Sequence, residues 1–220
     1  NGSAGNLAIL KSGTGASAAT ITKTTGNVSV DYMSIQDITA TTDGNAIWYA
    51  GANSTNVSGN TGWSFSVSAP SLRYWVVGGV NTNWSDSTNW SLTSGGAGGA
   101  ALPTNSDIVL FDQNSGTGFS DLDINISVRA INCNGFRVTL RHLASVKLTI
   151  GSGTANSYNV ALKFVSTMTY QLGNATTSSI DFVTTVSPVQ SIDFADKITG
   201  DLNFNGVGGT WILHGNFSTA

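Results

Sequence analysis

The residues of this chain whose type and spacing come nearest to catalysis are two carboxylates in "SDLDINI", Asp121 and Asp123. Positions two apart in a strand share a face. A retaining glycosidase needs carboxyl groups about 5–5.5 Å apart, a separation such neighbours approach. The same pair offers hard oxygen ligands to a calcium ion, although the spacing fits no known calcium loop. Around the pair the chemistry thins out. No His lies near "DLD", and only Arg129 stands within a strand length. Turn or surface positions are therefore the expected roles, as for Asp107 and Asp112 beside "IVLF" and for Asp193 and Asp196 in "IDFADK". His142 in "LRHLAS" and His214 in "WILHGN" fall in strand pattern and are expected at a surface or strand edge. No Gly-x-Ser-x-Gly elbow presents a nucleophile. The Gly-rich "SGGAGGA" (94–100) lacks the Gly-Lys-Ser/Thr ending of a phosphate loop and reads as a mobile loop. Cys133, the single cysteine, has no partner for a disulfide or a zinc site and reads as a small buried hydrophobe.

Tryptophans supply the other candidate chemistry. Residues 81–91 read "NTNWSDSTNWS", with Trp84 and Trp90 an even six apart. In one unbroken strand both indoles face the same way, and with Tyr74 they form a platform for a sugar ring. The intervening "SDST" is turn-like, and a buried Trp needs a partner for its N–H. Set between "RYWVVGG" and "SGGAGGAALPT", the two indoles are expected to pin a turn-rich cap to a sheet. Trp48 and Trp63 lie beside Gly turns and are expected to pack over the end of a solenoid.

Strands must position all of these residues. "DINISV", "RVTLRHL", "SVKLTI", "VALKFV", "TMTYQL", "SIDFVT" and "GTWILHG" alternate apolar with Ser, Thr, Asn or Lys, the period of half-buried strands. "NVSVDYMSI" (27–35) does the same with Val28, Val30 and Tyr32. Helical periodicity is almost absent. From about residue 122 the strand centres recur every 8 to 12 residues or so, a spacing that suits a β-sandwich or a β-solenoid of short strands. The predicted class is all-β, with β-solenoid, β-helix-like or β-sandwich strands and little or no helix. A boundary is expected near 67–73, where "SAPS" reads as a polar linker, giving segments 1–68 and 73–220.

Composition narrows the partners. Charged residues are 10 % of the 220, far below the roughly 25 % of ordinary soluble proteins. With formal net charge −3 and nine Lys and Arg, a nucleic-acid surface is not expected, since phosphate binding needs clustered cations. No apolar run approaches the roughly 18 residues that span a bilayer. No cofactor is indicated. The chain begins without Met and stops inside strand pattern, which reads as a segment of a longer or processed polypeptide.

"YWVVGGVNTNWSDSTNWSLTSGGAGGAALPTNSDIVLFD" (74–112) resembles a segment of repetitive β-rich structural proteins of phages and uncultured bacteria. "VSVDYMSIQDITATTDGNAIWYAGANSTNVSGNTGWSF" (28–65) looks like the segment that closes a repeat in those proteins, and "LNFNGVGGTWILHG" (202–215) is similar to their strand repeats. "GGVNTNW" departs from the pattern by lacking a Gly before its first Trp. The resemblance implies a solenoid body and a structural role outside the cell or on a virion surface.

In that pattern the closing segment precedes the opening one, as in a shifted frame of a repeat. Copies of the chain are then expected to stack head-to-tail, or to form a trimeric fibre. The resulting expectation is a non-enzymatic subunit of an extracellular or virion-surface filament. A carbohydrate-binding adhesin using Tyr74, Trp84 and Trp90, with extracellular glycans as partners, is the alternative. A β-helix polysaccharide-degrading enzyme using Asp121 and Asp123 is a third reading.

Overall fold

The computed structural model describes residues 1–24, 28–42, 48–65, 71–77, 81–151, 159–173, 177–185 and 189–219. The chain is all-β, and among the described residues its one helical element is a single 3-10 turn, Ser87–Asn89. It divides into two compact units, 1–69 and 70–220. Residues 68–70 of the expected linker lie outside the described residues.

The first unit winds in coils of three short strands. β1 (Ala8–Lys11), β2 (Ala19–Lys23) and β3 (Val28–Ser29) make one coil. β4 (Met33–Gln36), β5 (Ile38–Thr42) and β6 (Trp48–Tyr49) make the next, and β7 (Thr55–Ser58) and β8 (Trp63–Ser64) follow. Each strand pairs in parallel with its counterpart one coil on. Inside, Leu10 stacks on Ile35 and Ile21 on Ala40. Trp48 packs edge-on against Trp63 with ring centroids 5.2 Å apart. Outside, Thr22 shares a 2.7 Å hydroxyl bond with Thr41, and Thr61 donates to Thr39 at 3.0 Å. The alternation through 27–35 does not form one strand. The chain turns a corner at Val30–Tyr32, with Tyr32 at φ 55°, because the coil must change sheets there.

The second unit repeats the plan at greater length. β9 (Ser71–Trp75) and β10 (Trp90–Ser91) open it. Coils follow as β11 (Asp107–Leu110), β12 (Phe119–Leu122), β13 (Ile126–Val128); β14 (Ala130–Asn132), β15 (Thr139–His142), β16 (Lys147–Ile150); β17 (Val160–Lys163), β18 (Thr169–Leu172), β19 (Ser179–Phe182). β20 (Gln190–Asp193), β21 (Ile198–Thr199) and β22 (Asp201–Phe204) form the fourth coil, and β23 (Trp211–His214) and β24 (Ser218–Thr219) the last. The first sheet runs β10-β9-β11-β14-β17-β20-β23, and every pairing in it is parallel except β10 with β9. Parallel neighbours one coil apart are the signature of a solenoid, so the sandwich alternative falls away: its sheets are built from antiparallel strands.

Register turns the interior into ladders of like side chains. Val109, Ile131, Leu162 and Ile192 align in the first sheet, each fully buried. Val128, Ile150, Phe182 and Phe204 align in the third, with Phe182 and Phe204 stacked 5.1 Å apart. Each added coil buries the apolar faces left by the one before it, which is how such a stack gains stability. Ile124, expected to face inward with Ile126 and Val128, is 40 % exposed because residues 123–125 form a corner. Cys133 is buried as expected, and burial pushes its thiol pKa far up, which keeps it protonated.

Candidate functional site

The predicted site residues meet at the start of the second unit. β9 is an edge strand until the chain loops back and lays β10 antiparallel along it, pairing Trp90 with Trp75. Val76 N–H donates to the Asn89 carbonyl at 2.8 Å and Ala100 N–H to the Trp90 carbonyl at 3.0 Å. Between them Asp86 caps the 3-10 turn, accepting from the Thr88 amide at 2.9 Å and its hydroxyl at 2.6 Å. Those bonds hold the Asp86 carboxyl below its usual pKa. Asn89 is buried and donates to the carbonyls of Asn81 and Asn83. The Gly-rich stretch is tied down as well, with Gly99 N–H donating to the Ser87 carbonyl at 3.1 Å. A Cβ on Gly98 would lie 1.8 Å from the Thr88 carbonyl oxygen, so only glycine fits that approach.

Trp84 is 1 % exposed and Trp90 fully buried. Their centroids lie 4.5 Å apart, Trp75 is 5.1 Å from Trp90, and Phe111 touches all three. Trp90 Nε1 donates to the Trp84 carbonyl at 2.8 Å, which meets the polar demand of a buried indole. These indoles are core. Neither leaves a face for a sugar, which corrects the platform reading of Trp84 and Trp90. The physical reason is the turn at 85–89, which folds both rings inward over Phe111. Tyr74 is half-buried, pairs with Ser91 and Leu110 along the sheet, and has its phenol pKa raised by burial and then by Asp112.

Asp121 and Asp123 are the cap's anchors. Asp121 exchanges backbone bonds with the cap, its N–H donating to the Thr82 carbonyl at 2.7 Å and its carbonyl accepting from Trp84 at 2.8 Å. Its carboxylate accepts from Nε and Nη2 of Arg141 and from the Thr82 hydroxyl, the last at 2.6 Å. The Asp121 bond in turn raises the Arg141 pKa. Asp123 accepts from the Ser85 amide at 3.0 Å and from its hydroxyl. Among the described residues no group of three or more His, Cys or Asp could hold a metal. The two carboxylates are engaged with different partners, Asp121 with Arg141 and Asp123 with Ser85.

No family model, curated protein or solved structure matches this chain. Its own geometry therefore carries the functional reading.

His142 corrects another expectation. It is 1 % exposed and faces inward on β15. Nε2 lies 2.8 Å from the Val146 carbonyl, so it carries the proton, and Nδ1 accepts from the Tyr170 hydroxyl at 2.6 Å. Burial lowers the imidazole pKa, against a smaller opposing effect of the Val146 carbonyl. His214, on β23, is exposed as expected. The partners missed in the sequence, Thr82, Ser85 and Arg141, had one available signal: Arg141 registers with Asp121 one coil later.

The far end of the second unit is its opposite in chemistry. Phe204 is 43 % exposed, Leu213 44 % and Phe217 40 %, although Phe204 and Leu213 continue ladders fully buried one coil earlier. The start of the unit is sealed by aromatic core and backbone pairing, while its last coil presents interior side chains to solvent.

Proposed function

We propose that this chain is a structural subunit of an extracellular or virion-surface fibre, built from stacked β-solenoid coils and extended by copies of itself. The observation that carries the reading is the parallel stack itself, in which Val109, Ile131, Leu162 and Ile192 repeat in register from coil to coil. Such coils stack by one repeated backbone pattern, and strand edges recruit further strands. A contact between unlike ends propagates as an open filament when its rotation does not close. The 10 % charged composition and the hydroxyl-rich outer strands fit a surface built for packing rather than for electrostatic steering. The resemblance of 74–112 to repetitive phage and bacterial surface proteins points the same way. Sedimentation velocity and negative-stain microscopy of the purified chain over a concentration series test this. Concentration-dependent rods are expected, and monodisperse monomers at every concentration would overturn it.

A further inference from the structure

We infer that the outer face of the second unit's β12-β15-β18 sheet binds an acidic polysaccharide, with Phe119, Arg137, Arg141 and Gln171 as its contacts. This face lies along the side of the stack, so binding there is independent of whether copies of the chain assemble.

The alternation that sends Leu122, Leu140 and Tyr170 inward sends the intervening residues outward. Register sets these outward side chains in rows across the strands. Phe119, Thr139 and Thr169 form one row, and Asp121, Arg141 and Gln171 the next.

Phe119 is 43 % exposed, a large apolar ring on an outward position. The Arg141 guanidinium lies over it, with Cζ 4.1 Å from the ring centroid. Asp121 holds the same guanidinium through Nε and Nη2. Ring and carboxylate together fix the plane of this arginine, so a ligand meets a cation already in place. Its side chain is 33 % exposed. A guanidinium carries five N–H donors, and Asp121 takes two of them, which leaves three for a ligand.

Arg137 stands two positions before Thr139, with the same parity, and is exposed. Among the described residues it forms no ion pair. Two of the four arginines in the sequence therefore share this face, and Asp121, the carboxylate within its strands, is already engaged. The face is cationic in a chain of formal net charge −3. Charge complementarity selects an anionic partner.

The neighbouring groups select its class. Nucleic acid needs a denser row of cations than two arginines. An extended peptide docks by pairing at a strand edge, whereas this face offers side chains. The exposed part of the Phe119 ring can cover the C–H face of a sugar. The arginine forks match carboxylates or sulfates. Thr139, Thr169 and Gln171 offer hydroxyl and amide groups to sugar hydroxyls. Neighbouring strands lie about 4.8 Å apart, close to the length of one sugar ring. An extended glycan laid across the strands thus meets one coil per ring.

Biolayer interferometry of the full chain tests this, with polygalacturonate, hyaluronate and heparin as immobilised probes. Dextran is the neutral control and polyglutamate the acidic peptide control. At least one acidic polysaccharide should bind, with affinity that falls as salt is raised, and both controls should bind far more weakly. Arg137→Gln and Phe119→Ser should each weaken binding about tenfold. Lys147→Gln, which removes a cation from the outer face of the third sheet, should leave it unchanged. Unfolding midpoints of the variants, expected close to the parent's because both positions are exposed, separate lost contacts from lost fold. No binding to any acidic polysaccharide at low salt, or equal binding to polyglutamate, would overturn the assignment. So would a loss in Lys147→Gln as large as that in Arg137→Gln.

Discussion

Trp90→Ala removes the side chain on which the cap of the second unit converges. The indole is fully buried, packs edge-on against Trp75 and Trp84, and holds the Trp84 carbonyl through Nε1. Truncating a buried aromatic to Ala costs about 3–5 kcal/mol. Leaving the Trp84 carbonyl without its donor adds about 1–3 kcal/mol where water cannot reach it. The two overlap, since the cavity that costs packing also admits water, so about 4–5 kcal/mol is expected. That rivals the whole stability of many domains. In a stack of coils, however, the loss should fall on the nearest elements. Hydrogen exchange with peptide-level readout checks this. Amides in 81–110 should lose several hundredfold or more of their protection, whereas those in 160–172 change little. Trp90→Phe keeps a ring but not the N–H and should fall between. Unchanged protection across 81–110 in Trp90→Ala would refute the cap as described. A glycan platform would have predicted the reverse, lost sugar binding on an unchanged fold.

Asp121 and Arg141 should be coupled: Asp121→Asn and Arg141→Gln are each expected to cost about 2 kcal/mol. A double-mutant cycle by denaturant unfolding should give a coupling of about 1–2 kcal/mol, held down because the arginine is partly in water. His142 makes stability depend on pH. Its folded-state pKa is depressed by burial, so its contribution is complete above about pH 6.5 and is lost as pH falls toward the folded value. Unfolding midpoints at pH 7.5 and 5 should show a drop that His142→Gln reduces, and an equal drop in the variant would remove His142 as its cause. Cys133 should resist a thiol reagent until denaturant unfolds its coil, and immediate modification of the native chain would contradict its burial. Gly98→Ala should loosen the cap through the clash with Thr88, read as faster exchange at 85–100 than in the unsubstituted chain, and unchanged exchange there would contradict the close approach.

The sequence made the cap legible as a role but not its partners. Two Asn-Trp-Ser triplets with a polar turn between them do not say which way the indoles face. The turn decides it, and its geometry depends on Asp86 and on Asn89 bonding back to Asn81 and Asn83. The carboxylates misled for a related reason. An i, i+2 pair shares a face only while the strand continues, and this strand ends at Leu122. Asp123 lies in the following corner, free to reach Ser85 while Asp121 reaches Arg141. His142 was misplaced because it shares its parity with Leu140, which puts it inside. An imidazole with both nitrogens partnered tolerates that interior, and the second partner, Tyr170, comes from the next coil.

Alternation alone could not separate sandwich from solenoid, since both bury one strand face in two. Register between distant strands separates them. The apolar positions 109, 131, 162, 192 and 213 form one ladder, and 128, 150, 182 and 204 another. The repeat escapes a fixed-period reading because the corners absorb different lengths. Residues 111–118 join β11 to β12, whereas the shorter 164–168 joins β17 to β18. Inserts at a corner leave strand register untouched, because a solenoid's core is defined by which strands stack and not by the chain between them.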